Sequence, residues 1–298
     1  MRALAEYIMR GRRQASLAVG LATALPLLFW IGAAGASLVL LRRGLAQSAS
    51  IIVWALVPAV VWAVYGDPYV LLVVTGSLFM AHVLRESTSW VRVLLTSLLV
   101  GLASAWVLSV VFADFIGQIT QTLQQNMSTV LGEAWQQLDA SVQASLIELL
   151  PPVLTGLLAA VVQMLSLAGL ALARYWQAAL YNPGGFGQEF RSIRLPAALA
   201  GLLVMGMLLA PRLSVQAAVL MPLCAIPLGV AGLALVHGFV ARYKMGRIPL
   251  IGFYVGLVMF AQLLYPLLVI LALADSVFDF RGLRALAKNN ADSTDNGE

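Results

Sequence analysis

Three short stretches hold the polar groups best placed to do chemistry. The first is Asn182-Pro183-Gly184-Gly185-Phe186-Gly187, which continues into Glu189, Arg191 and Arg194. A glycine-rich run can cradle phosphate where it links a strand to a helix N-terminus. Here it follows a long apolar segment, and a sharp turn in which glycine permits positive φ is the better reading. Glu189, Arg191 and Arg194 then have the spacing for a salt bridge or an interfacial contact. The second stretch is His237-Gly238, about one turn inside the end of another apolar run. A polar group inside a membrane is expensive, so this histidine either serves function or satisfies a helix–helix hydrogen bond. The third pairs Asp275 with Asp279, four residues apart and so on one face if the last helix continues that far. Like charges at that spacing repel, which demands a nearby cation or exposure to water. Arg281 is the candidate partner.

Other chemistry is missing from the sequence. There is no H-E-x-x-H, no G-x-S-x-G and no P-loop, so nothing marks a nucleotide-hydrolysing motor within the chain. The chain has 2 histidines and 1 cysteine, which excludes a histidine-rich metal site and any intramolecular disulfide. Cys224 lies within an apolar run and is read as a small buried hydrophobe. The expectation is a protein that is not an enzyme, with no metal and no cofactor.

What must position these groups is a membrane. Hydrophobic residues make up 61% of the chain and charged residues 10%, with a mean hydropathy of +0.91. The stretches 14–41, 214–241 and 248–274 carry no charge. About 20 apolar helical residues cross a bilayer core about 30 Å thick. The expected fold is an all-α polytopic transmembrane bundle of 7–8 segments, at about 15–41, 45–65, 68–84, 93–113, 149–181, 196–210, 214–241 and 248–274. Residues 1–280 are expected to form one membrane domain and 281–298 a polar tail. Arg2, Arg10, Arg12 and Arg13 precede a small-residue pattern at Ala34-Gly35-Ala36 that fits signal cleavage. The apolar run continues past it, so an uncleaved first membrane segment is expected.

Loop charges set the orientation. The loop 114–148 holds Asp114, Glu133, Asp139 and Glu148 without Lys or Arg, and belongs outside. Its apolar residues recur at three- and four-residue steps, from Ile116 and Ile119 to Val142 and Leu146, as an amphipathic helical stripe broken near Gly132. The loops 182–195 and 242–247 are cationic and belong in the cytoplasm. One conflict follows. The arginines before Gln14 and the pair Arg42-Arg43 both belong inside, so 15–41 must enter and return, broken near Pro26 and Gly32. Counting single crossings onward puts the C-terminus outside, against the cations Arg281, Arg284 and Lys288, and the sequence leaves that side open. The net charge of +5 reflects cytoplasmic loops facing anionic lipid, and nucleic-acid binding is not expected. The location expected is a bacterial-type cytoplasmic (inner) membrane.

Two small-xxx-small patterns, Ala18/Ala22 and Gly252/Gly256, would let helices approach closely. With Asn182-Pro183-Gly184-Gly185-Phe186, Glu189-Phe190-Arg191, Val236-His237-Gly238, Asp275 and Asp279-Phe280-Arg281, the chain resembles YybS-like membrane proteins, a family of unknown function. The resemblance spans most of the chain. It implies a fold related to the substrate-binding (S) components of energy-coupling-factor vitamin transporters. It also implies an Ala-x-x-x-Ala face at Ala18 and Ala22 that docks a transmembrane coupling subunit served by ATPases. The function expected is a small-molecule-binding, transport-associated subunit, with Asn182, Gly184, Gly185, Glu189, Arg191, His237, Asp275, Asp279 and Arg281 as its binding residues. A cell-envelope scaffold is the alternative.

Overall fold

The computed structural model describes residues 2–282, so the expected polar tail lies outside the described residues from position 283 onward. The helices are α1 (Arg2–Arg10), α2 (Arg12–Ala24), α3 (Phe29–Arg43), α4 (Leu45–Val64), α5 (Tyr69–Ser87), α6 (Trp90–Val111), α7 (Ala113–Gln125), α8 (Met127–Leu131) and α9 (Glu133–Gln136). They continue with α10 (Ala140–Tyr181), α11 (Gly185–Ser192), α12 (Ala197–Leu213), a 3-10 turn at Gln216–Val219, α13 (Leu220–Arg242), α14 (Ile248–Met259) and α15 (Ala261–Phe278). No strand occurs among the described residues. Among the described residues six helices are long and apolar enough to cross a membrane, and the pair α11–α12, bent by 68°, makes up to 7. The chain is an all-α, multi-pass integral membrane protein.

The chain clusters into two compact units, Met1–Pro183 with Met205–Ile226, and Gly184–Val204 with Pro227–Glu298. In the first unit, the expected segment 15–41 is two helices that fold back on each other. The break falls at Leu25–Leu28, around Pro26, because proline cannot continue the helical ladder. Gly32, expected as a second break, is inside α3 and serves the hairpin instead. A Cβ there would collide with Thr23, and one on Gly35 would come within 3.0 Å of Val19. Those pairs run antiparallel, so the hairpin brings its two arginine clusters to one end. Arg43 Nη2 donates to the Met9 carbonyl at 3.2 Å.

The helix α3 packs against its neighbours through small residues, with Ala33, Ala34 and Ala36 fully buried, which is how helices gain van der Waals contact in lipid. Gly66-Asp67-Pro68 turns the chain between α4 and α5, with Asp67 accepting from the Tyr69 amide at 3.0 Å. The Tyr69 and Phe112 rings meet at 5.7 Å, which places the start of α5 beside the end of α6. At the other end of α5, Arg85 donates to the Leu41 carbonyl at 2.6 Å. The loop 114–148 leaves from the Phe112 end, opposite the arginines. It is helical, interrupted at Asn126, at Gly132 (φ +57) and again before Ala140. The α10 helix has 42 residues and starts earlier than expected, with Pro151 and Pro152 inside it. At about 1.5 Å per residue it is about twice as long as a bilayer core is thick.

In the second unit, the expected single span 248–274 is corrected to two helices broken at Phe260. A Cβ on Gly229 would come within 3.0 Å of the Tyr265 ring, and one on Gly232 would lie 2.5 Å from the Leu268 carbonyl oxygen. Both pairs are offset by the same number of residues, so α13 and α15 run parallel. Parallel neighbours need a return path, and α14 supplies it. Its 12 residues reach about 18 Å. The last turn of α15 therefore lies at the same end as Arg242, whose Nη1 donates to the Phe280 carbonyl at 3.1 Å. Pro211, expected to end its segment, lies within α12, which continues to Leu213.

Large apolar side chains remain uncovered along these helices, among them Trp54 (56%), Leu263 (73%) and Val258 (84%). In water such faces would aggregate, whereas hydrocarbon covers them at no cost.

Candidate functional site

The site lies within the second unit, where the chain between α11 and α12 leaves the helical path. Ile193 is extended (φ −61, ψ 116), so carbonyls at Arg191 and Ile193 lose helical partners. Buried backbone carbonyls need donors. Arg281 supplies them: Nη1 donates to Arg191 O at 2.7 Å and Nη2 to Ile193 O at 2.8 Å. The same Nη2 meets Asp275 Oδ2 at 2.7 Å, with the two side chains 5% and 3% exposed. Gly238 makes room for this arginine, since a Cβ there would come within 3.0 Å of Arg281 Cδ. That close approach is the reason for glycine at this position.

Arg194 completes the cluster from the other side. Its Nε and Nη2 donate to Asp275 O at 2.9 and 2.8 Å, and Nη2 also reaches Ser276 O at 2.7 Å. These carbonyls lie in the last turn of α15, where Asp275 O also accepts the Asp279 amide at 2.9 Å and a cation complements the helix dipole. Its Nε lies 3.7 Å from Asp275 Oδ2 and 3.6 Å from Asp279 Oδ1. Asp279 is not on the helix but caps it in the left-handed region (φ 49). Two arginines thus face two aspartates, and their formal charges cancel. Two atoms remain without a hydrogen-bond partner, Asp275 Oδ1 and Arg281 Nε.

Beside this cluster stands an aromatic group. The Phe190 ring meets His237 edge-on at 5.3 Å, and His237 Nε2 shares a hydrogen bond with the Tyr254 hydroxyl at 2.9 Å. The His237 bond crosses from α13 to α14, the helix–helix role weighed for it from sequence.

The expected residues do not all converge. Arg191, through its carbonyl, joins Asp275, Asp279, Arg281 and Arg194, with Gly238 beneath. Glu189 lies on α11, and its carbonyl accepts the Ser192 hydroxyl at 2.7 Å. Asn182 is exposed and caps α10. Gly184 is in the left-handed region (φ +88) with nothing near its Cβ position, and Gly185 begins α11 buried. These three form the turn and bring no side chain to the cluster. Ala18 and Ala22 are half-buried, flanked by exposed Leu17 (58%) and Leu21 (65%). Gly252 meets open space and Gly256 only Leu264, so the glycine pattern is no packing seam.

Arg194 was not among the expected site residues, although it follows Arg191 by one helical turn. Gln163 was also missed. Fully buried in the first unit, it donates to Ser97 Oγ at 2.9 Å and leaves its own Oε1 unpartnered. A lone amide in a long apolar run was the available signal. Among the described residues no three His, Cys, Asp or Glu side chains gather as a metal site. An apolar groove of about 350 Å³ lies between α5 and α6 in the first unit, lined by Phe79, Leu99 and Val100 among others.

The helices define the class, a multi-pass integral membrane protein. No protein-family model, curated protein or solved structure matches the chain.

Proposed function

We propose that the chain is a small-molecule-binding, transport-associated subunit of a bacterial-type inner membrane, of the kind its resemblance to YybS-like proteins and energy-coupling-factor S components implies. The observation that carries this reading is the buried Asp275–Arg281 pair, which leaves Asp275 Oδ1 and Arg281 Nε unpartnered beside a break in the helical path. Discontinuous helices and unspent buried polar atoms are what membrane transport sites are built from. Within this reading a coupling subunit docks on the face of α2 that carries Ala18 and Ala22. Ala15, Val19, Gly20 and Thr23 are the residues that α2 buries, whereas Ala18 and Ala22 stay partly exposed.

A cell-envelope scaffold is the second reading. It is favoured by the hydrogen bonds of Arg194 and Arg281, which end on protein groups, as in a rigid staple.

Purification in mild detergent with mass spectrometry of proteins and small molecules separates the two. Transport association predicts a retained small molecule that Asp275→Asn abolishes, and a co-purifying subunit lost from the Ala18→Leu/Ala22→Leu variant while the protein stays folded. A protein partner with no small molecule, retained by both variants, would establish the scaffold.

A further inference from the structure

We infer that the arginine end of the first unit is a binding site for the phosphate of an anionic phospholipid. Three arginines from two helices meet there. Arg42 and Arg43 end α3, and Arg85 reaches across from the last turn of α5. Each is held by a contact that orients the guanidinium without consuming it. Arg43 gives Nη2 to Met9 O at 3.2 Å, and Arg85 gives Nη1 to Leu41 O at 2.6 Å. Exposed Arg42 stacks over the Tyr181 ring, its Cζ 4.3 Å from the centroid, a contact that uses the face of the guanidinium and none of its N–H groups. A guanidinium carries five donors, so most remain for an acceptor.

The site has a floor as well as charge. Gly44, at φ +80, closes the turn between α3 and α4, and a Cβ there would come within 3.2 Å of Arg85 Nη2. Any side chain would push Arg85 aside. The hydrogen bond to Met9 ties this turn to the end of α1, so Arg10, Arg12 and Arg13 enter the same patch. Those three arginines are exposed and within four residues of Met9, Glu86 is the acid next to Arg85 in sequence, and Glu6 is already paired to Arg2 at 2.9 Å.

The position selects the ligand. Arg42 and Arg43 directly follow the apolar run that ends at Leu41, and exposed Tyr181 lies beside them, so the donors sit at the depth of lipid headgroups. Guanidinium pairs with phosphate oxygens in bidentate fashion, which a diffuse attraction to a charged surface does not require. A lipid with net negative charge adds the long-range attraction of the whole patch.

The test uses the full chain in detergent, washed with neutral lipid and analysed by native mass spectrometry, with phosphatidylglycerol as the probe and phosphatidylcholine as reference. Wild type is expected to hold phosphatidylglycerol at least tenfold better than phosphatidylcholine. Arg42→Gln, which removes only an exposed stacking contact, should cut that preference severalfold. Arg42→Gln/Arg43→Gln/Arg85→Gln should erase it, while Arg212→Gln, on α12, leaves it intact. If the triple variant does not fold, Arg42→Gln and Arg42→Lys carry the test, and lysine should restore only part of the loss. Equal retention of the two lipids by wild type, or an unchanged preference in Arg42→Gln, overturns the site. Full displacement by millimolar inorganic phosphate would mean a soluble anion site and also overturns it.

Discussion

Replacing Arg281 with methionine tests the cluster most severely. The substitution keeps an unbranched stem as far as the position of Nε but removes the donors to Arg191 O and Ile193 O and the partner of Asp275 Oδ2. Asp275 keeps only the longer contact to Arg194 at 3.7 Å. Both paired side chains are 5% exposed or less, so water does not soften the loss. Removing one partner of a buried pair costs about 3–5 kcal/mol, and two orphaned carbonyls each cost about 1 kcal/mol or more, partly counted already. The expected loss is about 4 kcal/mol. At about 2–4 °C per kcal/mol this lowers the midpoint by roughly 8–16 °C. Thermal unfolding in detergent measures it. The double variant Asp275→Leu/Arg281→Met removes the stranded carboxylate too, and should recover about 2 kcal/mol or more relative to the sum of the single variants. A single variant within about 4 °C of wild type, or strict additivity in the cycle, would refute the pairing as described.

Two further outcomes follow from the helix paths. Reporters placed after residues 13 and 43 should report the same side, opposite to one at 133; in the second unit, reporters at 244 and 282 should agree with each other. Opposite signals within either matched pair would dissolve the corresponding hairpin. Gly232→Ala should destabilise by about 1–3 kcal/mol, since its Cβ would press on the Leu268 carbonyl, while Gly252→Ala, facing open space, should be neutral or stabilising by up to about 1 kcal/mol. Equal effects on thermal stability at the two positions would contradict the parallel packing of α13 on α15.

The membrane class, most helix positions and the broken first segment were legible because they depend on charge, length and proline, all local quantities. The break at Phe260 was not. Nothing between Ile248 and Ala274 is charged, Pro266 lies within α15 instead of at the break, and the turn exists because α13 and α15 pack in parallel through Gly229 and Gly232. That is a long-range cause with no local mark. The acid–arginine pairing of Asp275 with Arg281 was legible, since two acids one turn apart need a cation. The donation of Arg281 to carbonyls near position 193 was not, because it answers a backbone defect some 88 residues away. Gly238 carried a readable hint of close approach, but not of which side chain approaches.

The distance along the chain between Arg194 and Asp275 has a consequence for biosynthesis. They are 81 residues apart, and at about 5–20 residues per second the ribosome needs roughly 4–16 s to cover that interval. Throughout it Arg194 has been made and its counter-charge has not. The second unit therefore cannot reach electrical balance as its helices emerge one by one, and its closing step waits for the final hairpin. A nascent chain released before Asp275 would carry all of α13 and α14 and still present an uncompensated guanidinium at its core. Quality-control proteases that survey the membrane would meet in that cation a clear sign of an unfinished product.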